Sequence, residues 1–298
     1  SLFASEPGVY QFLLDLNDPE KPVLTLKQAP VAKEQQIDPH INNKVKSVNY
    51  YDRLDGQQEK VIYSVDKLEA PLRNYTHSTS MTLRDPGPKY TRYSELADQP
   101  KLRTGSLEFD ALFTLAINEM KYLSVDDIND GNYASGADIS CECFKTGEKW
   151  AYVWTRDLSY AADLSLATLD PQRVVNSLNF KLSDFRDNVD VAKQVFGHGG
   201  PQIIQDTGSG GSWPISTDRV TWAFGAEKVL NVLSAKDKQQ FGQKAFIALQ
   251  NTIENDRLAA YDSKDGLYTG EQSFLDWREQ TYAQWIVEDI ASIGSAKA

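Results

Sequence analysis

The sequence predicts a two-part chain of mixed β and α structure: a β-rich segment over residues 1–104, then helical hairpins over residues 105–298 that stack into a toroid or solenoid. Three observations predict it. Short apolar or alternating runs separated by Pro, Asp, Asn and Gly fill the first hundred residues. The hydrophobic period changes to helical spacing after Gly105-Ser106. Helical patterns then follow one another with tight or glycine-rich joints.

Taken in order, the runs at 9–14, 23–26 and 60–65 read as strands. Leu107, Phe109, Leu112, Phe113, Ala116, Ile117 and Met120 recur at helical spacing, with Ser106 placed to cap the first turn. A second helix is predicted over 157–169, and Asp170-Pro171 supplies an N-cap and a first-turn proline for the next, so the two form an αα-hairpin. Further helices are predicted over 217–233, 236–260 and 281–293.

Composition narrows the function classes. A length of 298 residues fits one large domain or two of ordinary size. A formal charge of -11 with a pI near 4.8 argues against a nucleic-acid partner, because phosphate binding needs a basic face. No apolar run approaches the ~20 residues of a spanning helix, so membrane insertion is not expected. Cys141 and Cys143 stand one residue apart; a disulfide between them would be strained and a metal site would lack half its ligands, so both read as structural or free thiols. The acidic stretch 124–132 lacks the twelfth-position Glu of an EF-hand loop and reads as a solvated turn. Neither a metal nor a cofactor is expected.

Three clusters carry the chemistry. All six tryptophans, Trp150, Trp154, Trp213, Trp222, Trp277 and Trp285, lie after residue 105, most of them beside carboxylates, where aromatic faces stack on sugar rings; Trp222, inside an amphipathic helix, reads as core. In Trp154-Thr155-Arg156-Asp157 a cation and a carboxylate adjoin at a helix mouth, although capping alone would explain Asp157. The glycine-rich run from Gln205-Asp206 to Trp213-Pro214 offers amide, carboxylate and hydroxyl partners for sugar hydroxyls, and its glycines do not match a phosphate loop. The run from Gly270 to Glu279 holds Glu271, Asp276 and Glu279 beside Trp277 and Arg278. Glycoside cleavage needs one carboxylic acid to protonate the leaving oxygen and a second carboxylate to act on water, and any of the three could be the acid.

Read together, Val153-Trp154-Thr155-Arg156-Asp157, Ile204-Gln205-Asp206-Thr207-Gly208 and the string from Gly270 to Tyr282 resemble a group of bacterial six-hairpin glycosidase-like proteins. The last string is also similar to the Glu-Ser-Gly-Trp-Asp-x-Ser-x-Arg segment of trehalases and processing α-glucosidases. Here four residues rather than three separate Glu271 from Asp276, and Trp277 follows the aspartate.

The resemblance implies an N-terminal β-sandwich-like domain followed by an (α/α)₆ toroid, incomplete in this chain because the predicted helices are too few to close six hairpins. It implies an inverting glycosidase of the α-glucosidase or trehalase kind, acting on an oligosaccharide or glycoside in the bacterial periplasm or outside the cell. Asp276 would be the proton donor, with the base beyond residue 298. Trp154, Arg156, Asp157, Gln205, Asp206, Trp213, Asp218, Trp277 and Arg278 would hold the sugar. The competing readings are a non-catalytic carbohydrate-binding protein and a polysaccharide lyase, the latter short of candidate bases with only His40, His77 and His198.

Overall fold

The computed structural model describes residues 10–15, 23–28, 45–52, 56–81, 88–129, 134–184, 200–204 and 217–268. The chain divides into two compact units after Glu119.

In the first unit, β1 (Tyr10–Asp15) and β2 (Val23–Gln28) form an antiparallel hairpin in which Tyr10 faces Gln28 and Asp15 faces Val23. A four-stranded antiparallel meander follows, built from β3 (Val45–Asp52), β4 (Gln58–Val65), β5 (Asn74–Thr79) and β6 (Tyr90–Ser94) in the order β3-β4-β5-β6. The period-two rule puts Tyr63 and Val65 of β4, Tyr75 of β5 and Tyr93 of β6 on one buried face. Ala111 joins that core from α1 (Leu107–Leu123), flanked by Leu107 and Leu115. Ser106 caps this helix, accepting from the Phe109 amide at 3.3 Å.

Charges pin the helix to the sheet. Arg73 pairs with Asp110 at 3.1 Å, and the second Asp110 oxygen accepts from the Thr104 amide at 2.8 Å. Glu95 accepts from the Arg73 amide at 2.8 Å and from Arg103 Nη2 at 2.6 Å. Burial works to raise the Glu95 pKa, but the hydrogen bonds from Arg103 and the Arg73 amide, with the Arg103 charge, outweigh it and hold the carboxyl below its ordinary value. The sheet's apolar face is therefore covered by a helix. The expected sandwich of two packed sheets is not what the described residues form.

The second unit opens with β7 (Ser124–Ile128) paired to β8 (Ile139–Phe144). Val125 faces Cys143 and Asp127 faces Ser140, so Asp126 alone opposes both Cys141 and Glu142: β8 bulges there, with Glu142 at φ 41°. The bulge shortens the Cα–Cα distance between Cys141 and Cys143 to 5.1 Å, within disulfide range, and the two buried sulfurs are joined. The expectation of free thiols is corrected here: the two cysteines are paired with each other. The stretch expected as a solvated turn is strand from Ser124 to Ile128.

Helix α2 starts as Thr155–Ala161, continues through a π-helical turn, Ala162–Leu166, and ends in Ala167–Leu169. After the single residue Asp170, whose carboxylate accepts from the Arg173 amide at 3.1 Å, comes α3 (Pro171–Phe180), so the predicted cap and hairpin form. Helices α4 (Thr217–Leu230) and α5 (Ala235–Ala260) follow close to their predicted spans, and β9 (Tyr261–Asp262) pairs with β10 (Leu267–Tyr268). Helix α4 crosses α2 at Gly225, where an added Cβ would lie 3.3 Å from both the Ser159 Cα and the Ala162 Cβ. Trp222 is fully buried, donating to the Leu178 carbonyl at 3.1 Å, and is core as its helix pattern predicts.

These elements correct the expected fold class. Among the described residues there are five helices interleaved with small antiparallel sheets. Five helices cannot build an (α/α)₆ toroid, which takes two per hairpin. Moreover α1 packs on a sheet and the β7–β8 pair stands between α1 and α2, so the helices are not a continuous series of hairpins. The helix expected over 281–293 lies outside the described residues.

Candidate functional site

The site is built on the first turn of α2. The chain leaving β8 folds back on itself, the Thr146 amide donating to the Tyr152 carbonyl at 2.9 Å and the Trp154 amide to Thr146 Oγ1 at 2.9 Å. Trp154 then takes the N-cap position with extended backbone (φ -89°, ψ 129°) and no side-chain cap; its carbonyl accepts from the Leu158 amide at 3.0 Å. The Trp154 ring meets Trp150 edge-to-face at 5.9 Å, and Trp150 is 44% exposed, so this aromatic pair has a surface open to solvent.

Arg156 and Asp157 occupy the same first turn, half-buried and exposed respectively. Asp157 sits inside the helix rather than at the cap. A carboxylate in the first turn is favoured by the positive end of the helix dipole, which accounts for its position.

Thr155, between these residues, is fully buried and connects the first cluster to the approach of the second. Its hydroxyl donates to the Ile204 carbonyl at 3.2 Å. The segment 202–204 is held from several directions. Leu182 and Ile203 form an antiparallel bridge, the Ile204 amide donates to the Lys181 carbonyl at 2.9 Å, and the Ile203 amide donates to Thr252 Oγ1 at 2.9 Å. Arg219 of α4, 0% exposed, donates through Nε to the Ile203 carbonyl at 2.9 Å and through Nη2 to Gln202 Oε1 at 3.3 Å, and pairs with Asp256 of α5 at 2.9 Å.

Burial pushes the Asp256 carboxyl up to about 6, with the Arg219 charge pulling against it; the same burial lowers the Arg219 pKa. Buried Lys181 places its ammonium 4.5 Å from the centre of the Tyr152 ring. The interior beneath the α2 turn is thus polar and tied together by charge, which fixes the backbone leading to residue 205.

Of the residues the sequence singles out, Trp154, Arg156 and Asp157 come together on one turn, with Ile204 bonded to Thr155 between them. Asp218 falls in α4, with its side chain outside the described set. Gln205, Asp206, Trp213, Glu271, Asp276, Trp277, Arg278 and Glu279 lie outside the described residues. Sequence reasoning missed Thr155, Arg219 and Asp256. Arg219 next to Asp218 in a first helical turn has the pattern of a surface charge, and no local signal pairs it with a residue 37 positions away. Searches against protein-family models, curated proteins and solved structures give no match to this chain.

Proposed function

We propose that this chain recognises the terminal sugar of a glycoside at the first turn of α2 and hydrolyses the bond by general acid–base chemistry with inversion. The observation that supports it is the hydrogen bond from Thr155 to Ile204, which puts the approach to Gln205-Asp206 against the turn that carries Trp154, Arg156 and Asp157. The described chain that leads to the second cluster is therefore bonded to the turn that carries the first. In this reading the tryptophan pair stacks on the apolar face of the ring, Arg156 donates to ring hydroxyls, and Asp157 and Asp206 accept from them.

Asp276 is the proposed proton donor to the leaving oxygen, with Glu271 and Glu279 as the other candidates; a second carboxylate takes a proton from the water that attacks the anomeric carbon. The test is release of reducing sugar from a panel of α- and β-glucosides by the chain, by Trp154→Ala and by Asp276→Asn. Turnover abolished in Asp276→Asn with sugar binding retained supports the assignment. Turnover unchanged in Asp276→Asn moves the acid to Glu271 or Glu279. Saturable sugar binding without turnover in any form overturns hydrolysis in favour of a carbohydrate-binding protein.

A further inference from the structure

A cleft stands apart from the α2 turn, between α3 and α5. Gln172, Asn176 and Asn179 recur at four- and three-residue intervals on α3, which puts them on one face of that helix. Across from them α5 presents Gln240 and Phe241, and the space between is a cleft of about 230 Å³. A groove between two helices is ordinarily closed by interdigitating apolar side chains. This one is lined by four amides beside Val175 and Leu233, with Phe241 at its base, buried and tilted against Trp222 at 6.0 Å.

The hydrogen-bonding pattern says what such a cleft would take. Gln172 Nε2 donates to Asn176 Oδ1 at 3.0 Å, and Asn176 Nδ2 reaches the Glu142 carbonyl at 3.4 Å, so that pair is internally oriented. Asn179 Oδ1 is buried and has no hydrogen-bond partner among the described residues. Gln240 adds an exposed amide, with a donor and an acceptor, on the opposite wall. The charges at the rim are already engaged: Lys244 with Asp184 at 3.5 Å, and Asp237 Oδ2 with the Ser234 hydroxyl at 2.6 Å. Neutral donors and acceptors beside an apolar base, with neighbouring charges occupied, suit a neutral polyhydroxylated ring: hydroxyls to the amides, C–H groups to Val175, Leu233 and the edge of Phe241. The volume lies below the roughly 300–1,000 Å³ of drug-sized pockets, which matches one ring and not a chain.

We propose that the α3–α5 cleft binds a single neutral sugar or cyclic polyol, with Asn179 Oδ1 accepting from a ligand hydroxyl. The inference does not depend on the glycosidase reading. It is tested by saturation-transfer NMR and isothermal titration with D-glucose, myo-inositol and maltotriose, on the chain and on Asn179→Leu, Gln240→Ala and Trp154→Ala. Asn179 Oδ1 has no partner to lose, so the leucine variant should keep its melting temperature, and Gln240→Ala changes only an exposed side chain. The expected result is saturable binding that weakens by about tenfold, the loss of one good hydrogen bond, in each cleft variant. Preference for glucose or inositol would mark a free small molecule as the ligand, and equal affinity for maltotriose would mark a glycan end. No saturation with any probe, or affinity in both cleft variants equal to that of the unaltered chain, overturns the proposal. Loss confined to Trp154→Ala also overturns it, while supporting the site on α2.

Discussion

Replacing Arg219 with methionine keeps most of the side-chain volume but removes the cation at the centre of the helical unit. Three acceptors then lose their donor: the Ile203 carbonyl, Gln202 Oε1 and the Asp256 carboxylate. A buried acceptor left unsatisfied costs about 1–3 kcal/mol, and breaking a buried ion pair by removing one partner costs about 3–5 kcal/mol, so the variant should lose about 3–5 kcal/mol at neutral pH. In urea, with a slope of about 2–3 kcal/mol/M, the midpoint should fall by roughly 1–2 M. Tryptophan fluorescence reports it, because Trp222 is buried in the same unit.

The pH dependence sharpens this test. Unfolded Asp256 ionises near its ordinary 3.8, whereas the folded carboxyl holds its proton up to about 6. Between those values the native state binds more protons than the unfolded one, so stability falls as pH rises. Asp256 therefore contributes stability that is fully present below pH 3.8 and lost as pH rises through about 6. Without the Arg219 charge the carboxyl should hold its proton to still higher pH, so the loss caused by Arg219→Met should be larger at pH 8 than at pH 5. A loss below about 1 kcal/mol, or one that does not change with pH, would refute the reasoning.

Gly225→Val puts a branched side chain into the α2–α4 crossing and should cost about 1–3 kcal/mol by overpacking, read as a lower thermal midpoint together with weaker sugar binding at the α2 turn. Glu95→Gln should cost about 1–3 kcal/mol at pH 7 by weakening its bonds to Arg103 and the Arg73 amide. The lowered Glu95 pKa supplies stability that is present above about 4.5 and lost as pH falls through the folded value, so acid titration of the variant should show a flatter limb. Thr155→Val keeps the shape but removes the donor to Ile204; about 0.5–1.5 kcal/mol of stability should go, with a larger proportional loss of sugar binding if that bond sets the approach to Gln205.

The elements that could be read from sequence are those whose period is carried by aliphatic residues. Strands β1, β2 and β4 and helices α1 to α5 lie close to their predicted positions, and Asp170-Pro171 marks the joint between α2 and α3. Strands β5 and β6 escaped because their buried positions are Tyr75 and Tyr93 and their other residues are mostly Thr, Ser, His and Arg, a pattern that reads as polar loop. The toroid was an over-reading of helical period. Period shows that a helix has an apolar face but not what covers it, and α1 turns its face to a sheet. The tryptophan, arginine and aspartate of the α2 turn are adjacent in sequence and could be recognised as a cluster. The Thr155–Ile204 bond spans 49 residues, and the Arg219–Asp256 pair spans 37, so neither has a local signature.

The π-helical turn in α2 has a consequence for insertions and deletions. The buried positions Thr155, Leu158, Ser159 and Ala162 keep ordinary helical spacing, and the next is Ala167, five residues on. One residue in this helix is therefore surplus to the α-helical count, a rotation of about 100° absorbed in a single turn. Leu164, 81% exposed within that turn, is the natural one to lose. Its deletion should convert the turn to regular α-helix while leaving both the Thr155–Ala162 face against α4 and the joint at Asp170 in register, with a nearly unchanged melting temperature. Deleting Tyr160 would rotate Trp154, Arg156 and Asp157 away from the residues they meet. Length variation in this protein has a permitted position a few residues from a forbidden one, and the boundary between them runs through the middle of one helix.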